Sequence, residues 1–277
     1  MNVLNLKDIA KTQKEFLKSP RENIIKLNKD LKDINKQLIT KLSSEGRIEE
    51  LKLFYDFHKE YFRLIRKLLK DNVISADNFK DDVFDLKNSQ RIKEVKLALE
   101  NYLEKKNKNQ LDEATALTLS RNYSAQLEII WGKFKRVIYL KYPKLPKKYL
   151  NLTDMQKILS KLEGEYSLSL TLIKSTLERL FRNKINHEET YFDPPDEIVF
   201  LDIIGKTREI KRLKLEKICE LILKTMIINS AIDNIEKTLI SSFLNVLLRL
   251  NDLELKEYCK TGILTKEMKT KIEENNS

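Results

Sequence analysis

Apolar residues recur through much of this chain at steps of three and four, which is the spacing that puts them on one face of a helix. Over residues 22–42 the stripe is Ile24, Leu27, Leu31, Ile34, Leu38 and Leu42, set among Lys and Asp. Ser43-Ser44-Glu45-Gly46 closes it, and residues 47–69 carry a second stripe of Leu51, Phe54, Phe57, Tyr61, Phe62, Ile65 and Leu68. A short connection between two such segments predicts an antiparallel helical hairpin. A third helix is expected over 83–103, interrupted by Asn88 and Ser89, and the polar run Lys105 to Gln110 follows it. That run is the first choice of domain boundary, dividing a charged N-terminal helical region, 1–108, from a second region, 109–277. The prolines Pro143 and Pro146 mark the alternative boundary.

In the second region, residues 117–139 predict a strong helix with Leu119, Tyr123, Leu127, Trp131 and Phe134 on one side. A short helix from Asn151 or Thr153 to Leu162 is expected to close at Gly164. Residues 166–185 then show the clearest stripe in the chain: Tyr166, Leu170, Ile173, Leu177, Phe181 and Ile185. Asp193-Pro194-Pro195-Asp196 breaks the pattern, with room on either side for two very short strands. Two further helices, over 206–228 and 231–249, precede a polar tail from residue 266. The expected fold class is all-α, a helical bundle.

Composition narrows the choice. Only 5 Gly and 5 Pro occur in 277 residues while 34% are charged, too few turn signals for a β-sandwich, a barrel or a glycine-rich nucleotide fold. The sequence holds no Walker A loop, dinucleotide fingerprint or nucleophile elbow. Lys and Arg number 53 against 42 Asp and Glu, a net charge of +11, which favours a polyanionic partner, nucleic acid before membrane. Cys219 and Cys259 stand without a ligand cluster, so no metal site, cofactor or disulfide framework is expected, and a reducing cytoplasmic setting fits. No secretion signal is read in the first residues, and no apolar window reaches the ~20 residues of a membrane span.

Two histidines remain. His58 lies four residues from Phe54 and three from Tyr61, which marks it as a packed histidine on an apolar face. His187 lies in Leu180-Phe181-Arg182-Asn183-Lys184-Ile185-Asn186-His187-Glu188-Glu189. Here a permanently charged guanidinium, an amide and a group titrating near neutral pH fall within six residues, a set suited to phosphate chemistry. On a continuing helix Asn183 and His187 share a face. Arg182 and His187 diverge by roughly 140° and converge only if the helix ends or a second copy supplies one of them.

Arg182, Asn183 and His187, with Leu180 and Phe181 before them and Tyr191-Phe192-Asp193 after, resemble the signature of the HEPN superfamily of helical domains. That signature is Arg, a polar residue and His after four to six intervening positions at the end of a bundle helix. The resemblance covers about a dozen residues. It implies a HEPN-like bundle over 109–277 and a metal-independent endoribonuclease, of the kind found among toxins and antiviral, abortive-infection effectors. With one motif per chain it also implies a homodimer that joins two Arg–His sets. In that chemistry the 2′-hydroxyl attacks the adjacent phosphorus while His187 handles the proton, Arg182 stabilises the phosphorane oxygens and Asn183 orients the imidazole or contacts phosphate. The products are a 2′,3′-cyclic phosphate and a 5′-hydroxyl. RNA contact is expected from Lys184, Lys206, Arg208, Lys211 and Arg212, and from a cation–aromatic run between Arg136 and Tyr149. The tyrosine that a nucleotidyltransferase antitoxin modifies in some relatives is replaced by Glu189, which leaves any antitoxin or regulatory protein unspecified. The alternatives are a non-catalytic HEPN-type RNA-binding module and a helical scaffold or adaptor that meets its partner through residues 1–108.

Overall fold

The computed structural model describes residues 18–26, 29, 40, 43–74, 86–145, 152–176, 190–204, 207–261 and 263–274. Most of the helix expected over 22–42 lies outside them, although residues 20–26 are helical and Ile24 is buried. The chain is mostly helical. Its elements are α1 (Ile48–Lys70), α2 (Leu86–Asn107), α3 (Glu113–Lys141), α4 (Leu152–Tyr166), α5 (Thr171–Thr176), β1 (Thr190–Asp193), β2 (Glu197–Ile204), β3 (Thr207–Lys214), α6 (Leu215–Leu247), α7 (Asp252–Thr261) and α8 (Lys266–Glu274).

The chain forms two compact units. The larger comprises residues 46–75 and 81–235, the smaller residues 1–45, 76–80 and 236–277. The larger unit is built on α1 and α3. Phe54, Phe57, Tyr61, Leu64, Ile65 and Leu68 are all buried on one face of α1. Phe134 of α3 meets Phe57 and Tyr61 edge-on, with ring centroids 6.5 and 5.5 Å away. Removing side chains of this size from water is the main stabilising term of such a core, about 1.5–3 kcal/mol each. Glu49 and Glu50 in the first turn of α1, and Lys67 and Lys70 in the last, match the helix dipole.

The polar run at 105–110 forms a tight turn between α2 and α3, which pack on each other within the larger unit. Asn109 adopts the left-handed conformation, φ 52°, and Asp112 caps α3 by accepting from the Thr115 N–H at 2.9 Å. Lys105 donates to the same carboxylate at 2.6 Å. The expected boundary at 108/109 coincides with this turn.

The mostly helical chain fits the all-α expectation, with β1, β2 and β3 as a small antiparallel sheet in that order. Individual elements differ from expectation. The strands expected beside Pro194 and Pro195 are present, and β3 occupies the first half of what was expected to be a helix over 206–228. Ile210 and Leu213 are three apart, which suits either element; pairing decided the matter, since the apolar run Ile198-Val199-Phe200-Leu201 of β2 takes β3 as its partner from Glu197↔Lys214 to Ile204↔Thr207. Of the helix expected over 166–185, residues 177–185 lie outside the described residues, and the described part does not start at 166. α4 runs through Gly164 to Tyr166, Ser167 takes a positive φ of 50°, and α5 begins at Thr171. Finally, α6 is one helix of 33 residues where two were expected, and the polar tail contains α8.

Within the larger unit α6 is held by polar bonds as well as apolar contact. Asn229 donates from Nδ2 to the Gln126 Oε1 of α3 at 2.9 Å, and Lys133 of α3 pairs with Asp233. In the smaller unit Arg21 donates to the carbonyls of Leu248 and Leu250 at 2.8 and 2.6 Å and to Asp252 at 2.7 Å, satisfying carbonyls just past the end of α6. Asn251 and Glu254 form a reciprocal capping box on α7, each accepting the other's backbone N–H at 2.9–3.0 Å.

Lys133 is 8% exposed and Asp233 30%, so their pairing is mostly out of water. Asp233→Ala is expected to lower the unfolding free energy by about 1–3 kcal/mol, and Asp233→Asn by less, because its amide oxygen still accepts from the Lys133 ammonium. Urea unfolding of the three proteins measures both effects; an unchanged midpoint in Asp233→Ala would refute a stabilising role for the pair.

Candidate functional site

Arg182, Asn183, Lys184 and His187 lie outside the described residues, as does Lys206. The described elements on either side of this segment are α5 (Thr171–Thr176) and β1 (Thr190–Asp193).

Two carboxylates from other helices fix α5. Glu60 of α1 places Oε2 3.2 Å from the Leu172 N–H and 3.3 Å from that of Ile173, in the first turn, where N–H groups have no helical partner. Glu163 of α4 accepts the Leu170 N–H at 2.7 Å and pairs with Lys174. Leu170 and Ile173 are fully buried beneath. Burial raises the Glu60 carboxyl above its usual range, against the opposing pull of its two backbone donors. At Glu163 burial acts in the same direction, but Lys174 and the Leu170 N–H outweigh it and hold the group low. Neither glutamate stood out in the sequence, because a carboxylate that accepts from a distant helix has the same local pattern as one on a solvated face.

On the other side, the sheet ties β1 to the basic strand. Thr190, Phe200 and Lys211 form one row across the three strands, and Tyr191, Val199 and Arg212 the next. α3 packs against β1. Side chains alternate along a strand, so Lys211 and Arg212 point to opposite faces of the sheet. The expected basic cluster of one helix is thus divided by strand geometry. Arg212 is also engaged: its Nη1 reaches Asp193, and Glu197 at 3.2 Å. These carboxylates hold its guanidinium protonated even more firmly than usual.

The cation–aromatic run at the end of α3 is likewise turned inward. Lys141 donates to the Tyr166 hydroxyl at 2.6 Å and lies over that ring, 4.8 Å from its centroid. Tyr142 donates to Glu165 at 2.9 Å, and Lys161 sits 4.7 Å above the Tyr142 ring. Burial and then the Glu165 carboxylate push the Tyr142 hydroxyl well above its ordinary value. Lys147, Lys148 and Tyr149 lie outside the described residues.

His58 is packed, as its spacing predicted. It stacks between Phe54 and Phe62, with centroids at 5.8 and 6.2 Å, and its Nε2 lies 3.0 Å from Asn234 Oδ1 on α6. Burial lowers its pKa below the usual value, while the Asn234 bond works the other way. Burial also pushes the Cys219 thiol up to about 12 and raises Cys259, so neither offers a thiolate at neutral pH.

Among the described residues no three His, Cys, Asp or Glu side chains come together in a way that would hold a metal ion. No described helix is long and apolar enough to cross a membrane. A cavity of about 220 Å³, lined by Leu53, Tyr123, Leu172, Leu221, Thr225 and Ile228, lies between α1, α3, α5 and α6. No family model, curated protein or solved structure matches the chain.

Two measurements check these contacts. Because the His58 pKa is depressed in the folded protein, its contribution is full above about pH 6.5 and lost as the pH falls through the folded value. His58→Gln, which keeps an amide for Asn234 but does not titrate, is expected to show a smaller fall in Tm between pH 7.5 and 5 than the wild type; identical falls would exclude the role. Glu60→Ala is expected to speed amide hydrogen exchange at Leu172 and Ile173 and cost about 1–2 kcal/mol, with Glu60→Gln closer to wild type.

Proposed function

We propose that this chain is a metal-independent endoribonuclease of HEPN type that works as a homodimer. The observation that carries the reading is the run Leu180 to His187 with its Arg182-Asn183 pair and single following histidine. The mostly helical architecture is compatible with it. So is the anchoring of α5 by Glu60 and Glu163 on one side of the run and the pairing of β1 with β2 on the other. A segment whose two neighbours are tied to a packed core can hold catalytic groups in register at lower entropic cost than a free loop.

In this reading His187 removes the 2′-hydroxyl proton, and His187 from the second copy protonates the leaving 5′-oxygen. Arg182 meets the charge that builds on the phosphorane oxygens, where a planar guanidinium can donate two bonds at once. Asn183 orients the imidazole, and Lys184 contributes positive charge for RNA. DNA, without the 2′-hydroxyl, is bound but not cut. The biological role this suggests is that of a toxin or antiviral effector, with any antitoxin or regulatory partner acting by means other than modification at position 189.

A second reading is a non-catalytic RNA-binding or scaffold protein. It is favoured by Arg212, which is committed to Asp193 and Glu197 and so is less available to substrate.

Incubating the purified chain with labelled RNA in excess EDTA separates the two. Cleavage leaving 2′,3′-cyclic phosphate ends is expected, with a loss of at least about a hundredfold in His187→Ala and in Arg182→Ala proteins that keep the wild-type circular dichroism spectrum. RNA left intact by wild type, or cut equally by the variants, would reject the nuclease assignment.

A further inference from the structure

α1 has a second patterned face. Lys52, Tyr55, Lys59, Phe62 and Arg66 follow one another at steps of three, four, three and four, alternating cation and ring along one side of the helix. At 3.6 residues per turn the centre of that side lies about 150° from the buried stripe of Phe54, Phe57, Tyr61 and Leu68. Lys52, Lys59 and Arg66 are exposed, and Tyr55 and Phe62 are 50% and 42% exposed. Arg63 and Lys70 border the same side and Lys67 lies further round.

Two features mark this face. Among the described residues, none of Lys52, Lys59, Arg63, Arg66, Lys67 and Lys70 has an ion-pair partner. Elsewhere in the larger unit Lys105, Lys108, Lys133, Lys141, Lys174 and Arg212 are paired, whereas Arg121, Lys144 and Lys157, like the α1 cations, are not; α1 gathers six such cations on one helix. Asp56 and Glu49 flank the face, and from Tyr61 to Lys70 no carboxylate occurs at all. The exposed rings are also braced from beneath: Phe54 meets Tyr55 edge-on at 5.6 Å, and the stack Phe54, His58, Phe62 climbs from the core to the surface in steps of one turn. Ordering an exposed aromatic ring beforehand reduces the entropy lost when a flat partner stacks on it.

We propose that this face of α1 is a binding track for single-stranded nucleic acid, with phosphates against Lys52, Lys59, Arg63 and Arg66 and bases stacked on Tyr55 and Phe62. The two rings are seven residues apart, about 10 Å along the helix. The cations from Lys52 to Lys70 cover about 27 Å, enough for roughly eight stacked nucleotides at about 3.4 Å each. An acidic protein would answer the charge but leaves the paired rings without a role, whereas unpaired bases use both. The face is remote in sequence from Arg182 and His187, and the proposal stands whether or not the chain cleaves RNA.

The test is fluorescence anisotropy with the full chain and a labelled 20-mer of deoxythymidine, which lacks the 2′-hydroxyl and so separates binding from cleavage, beside the uridine 20-mer in EDTA. Both are expected to bind, with affinity falling as KCl rises. Lys52→Gln, Lys59→Gln and Arg66→Gln together are expected to reduce the slope of log K against log salt by about 2, three phosphates at about 0.7 each. Tyr55→Ala with Phe62→Ala is expected to weaken binding at least tenfold, and Tyr55→Phe to leave it within about twofold. Three exposed lysines of the smaller unit, Lys256, Lys260 and Lys269, changed together to Gln serve as the charge control. The proposal is overturned if neither oligomer binds, if the control loses as much as the α1 triple variant, or if the ring variants bind as wild type does. Displacement by polyglutamate as efficiently as by unlabelled oligomer, charge for charge, would assign the face to an acidic protein and overturn it as well.

Discussion

The seam between α1 and α3, where Phe134 meets Phe57 and Tyr61 edge-on, fixes the rotation of α1, and the other features of the larger unit follow from that rotation. A helix that buries residues 54, 57, 61, 64, 65 and 68 has no freedom left in where its remaining side chains point. Glu60 falls on one margin of the buried stripe and reaches the first turn of α5. His58 falls on the other and reaches Asn234 of α6. The alternating cations and rings fall outside. One packing decision thus sets an anchor, a buried histidine contact and a charged surface.

Electrostatics in this chain divides along the same lines. The sequence singled out two basic stretches for nucleic acid, 206–217 and 136–149, but tertiary structure engages part of each internally. Arg212 is neutralised by carboxylates on the neighbouring strands, and Lys141 and Lys161 lie over tyrosine rings. Cations with near partners contribute less to attracting a polyanion, since their field is already compensated at short range. The cations of α1, without ion pairs among the described residues, keep their field, in a region where the sequence offered no motif.

The sheet shows how a correct local reading can lead to a wrong element. Thr207 to Lys214 has apolar residues three apart and abundant lysine, features it shares with an amphipathic helix. A single apolar pair cannot choose between periods of 3.6 and 2. The choice was made by β2, whose continuous apolar run needed a hydrogen-bonded neighbour. In the same way the stripe at 166–185 reads as continuous, yet the chain turns at Ser167. There Glu163 accepts the Leu170 N–H, and Glu60 those of Leu172 and Ile173, giving α5 its start.

Sequence alone determined the helical character, the packed state of His58 and the chemical identity of the Arg182, Asn183 and His187 set. Each is local: a spacing of apolar residues, a paucity of glycine and proline, or a motif contained in six positions. Only the tertiary structure decided that Glu60 and Glu163 anchor α5, that the basic strand is divided between two faces, and that the cations of α1 stand unpaired. Those outcomes depend on which residues meet beyond one helical turn, from the seven positions between Glu163 and Leu170 to the 112 between Glu60 and Leu172, and short-range periodicity carries no information about such pairs.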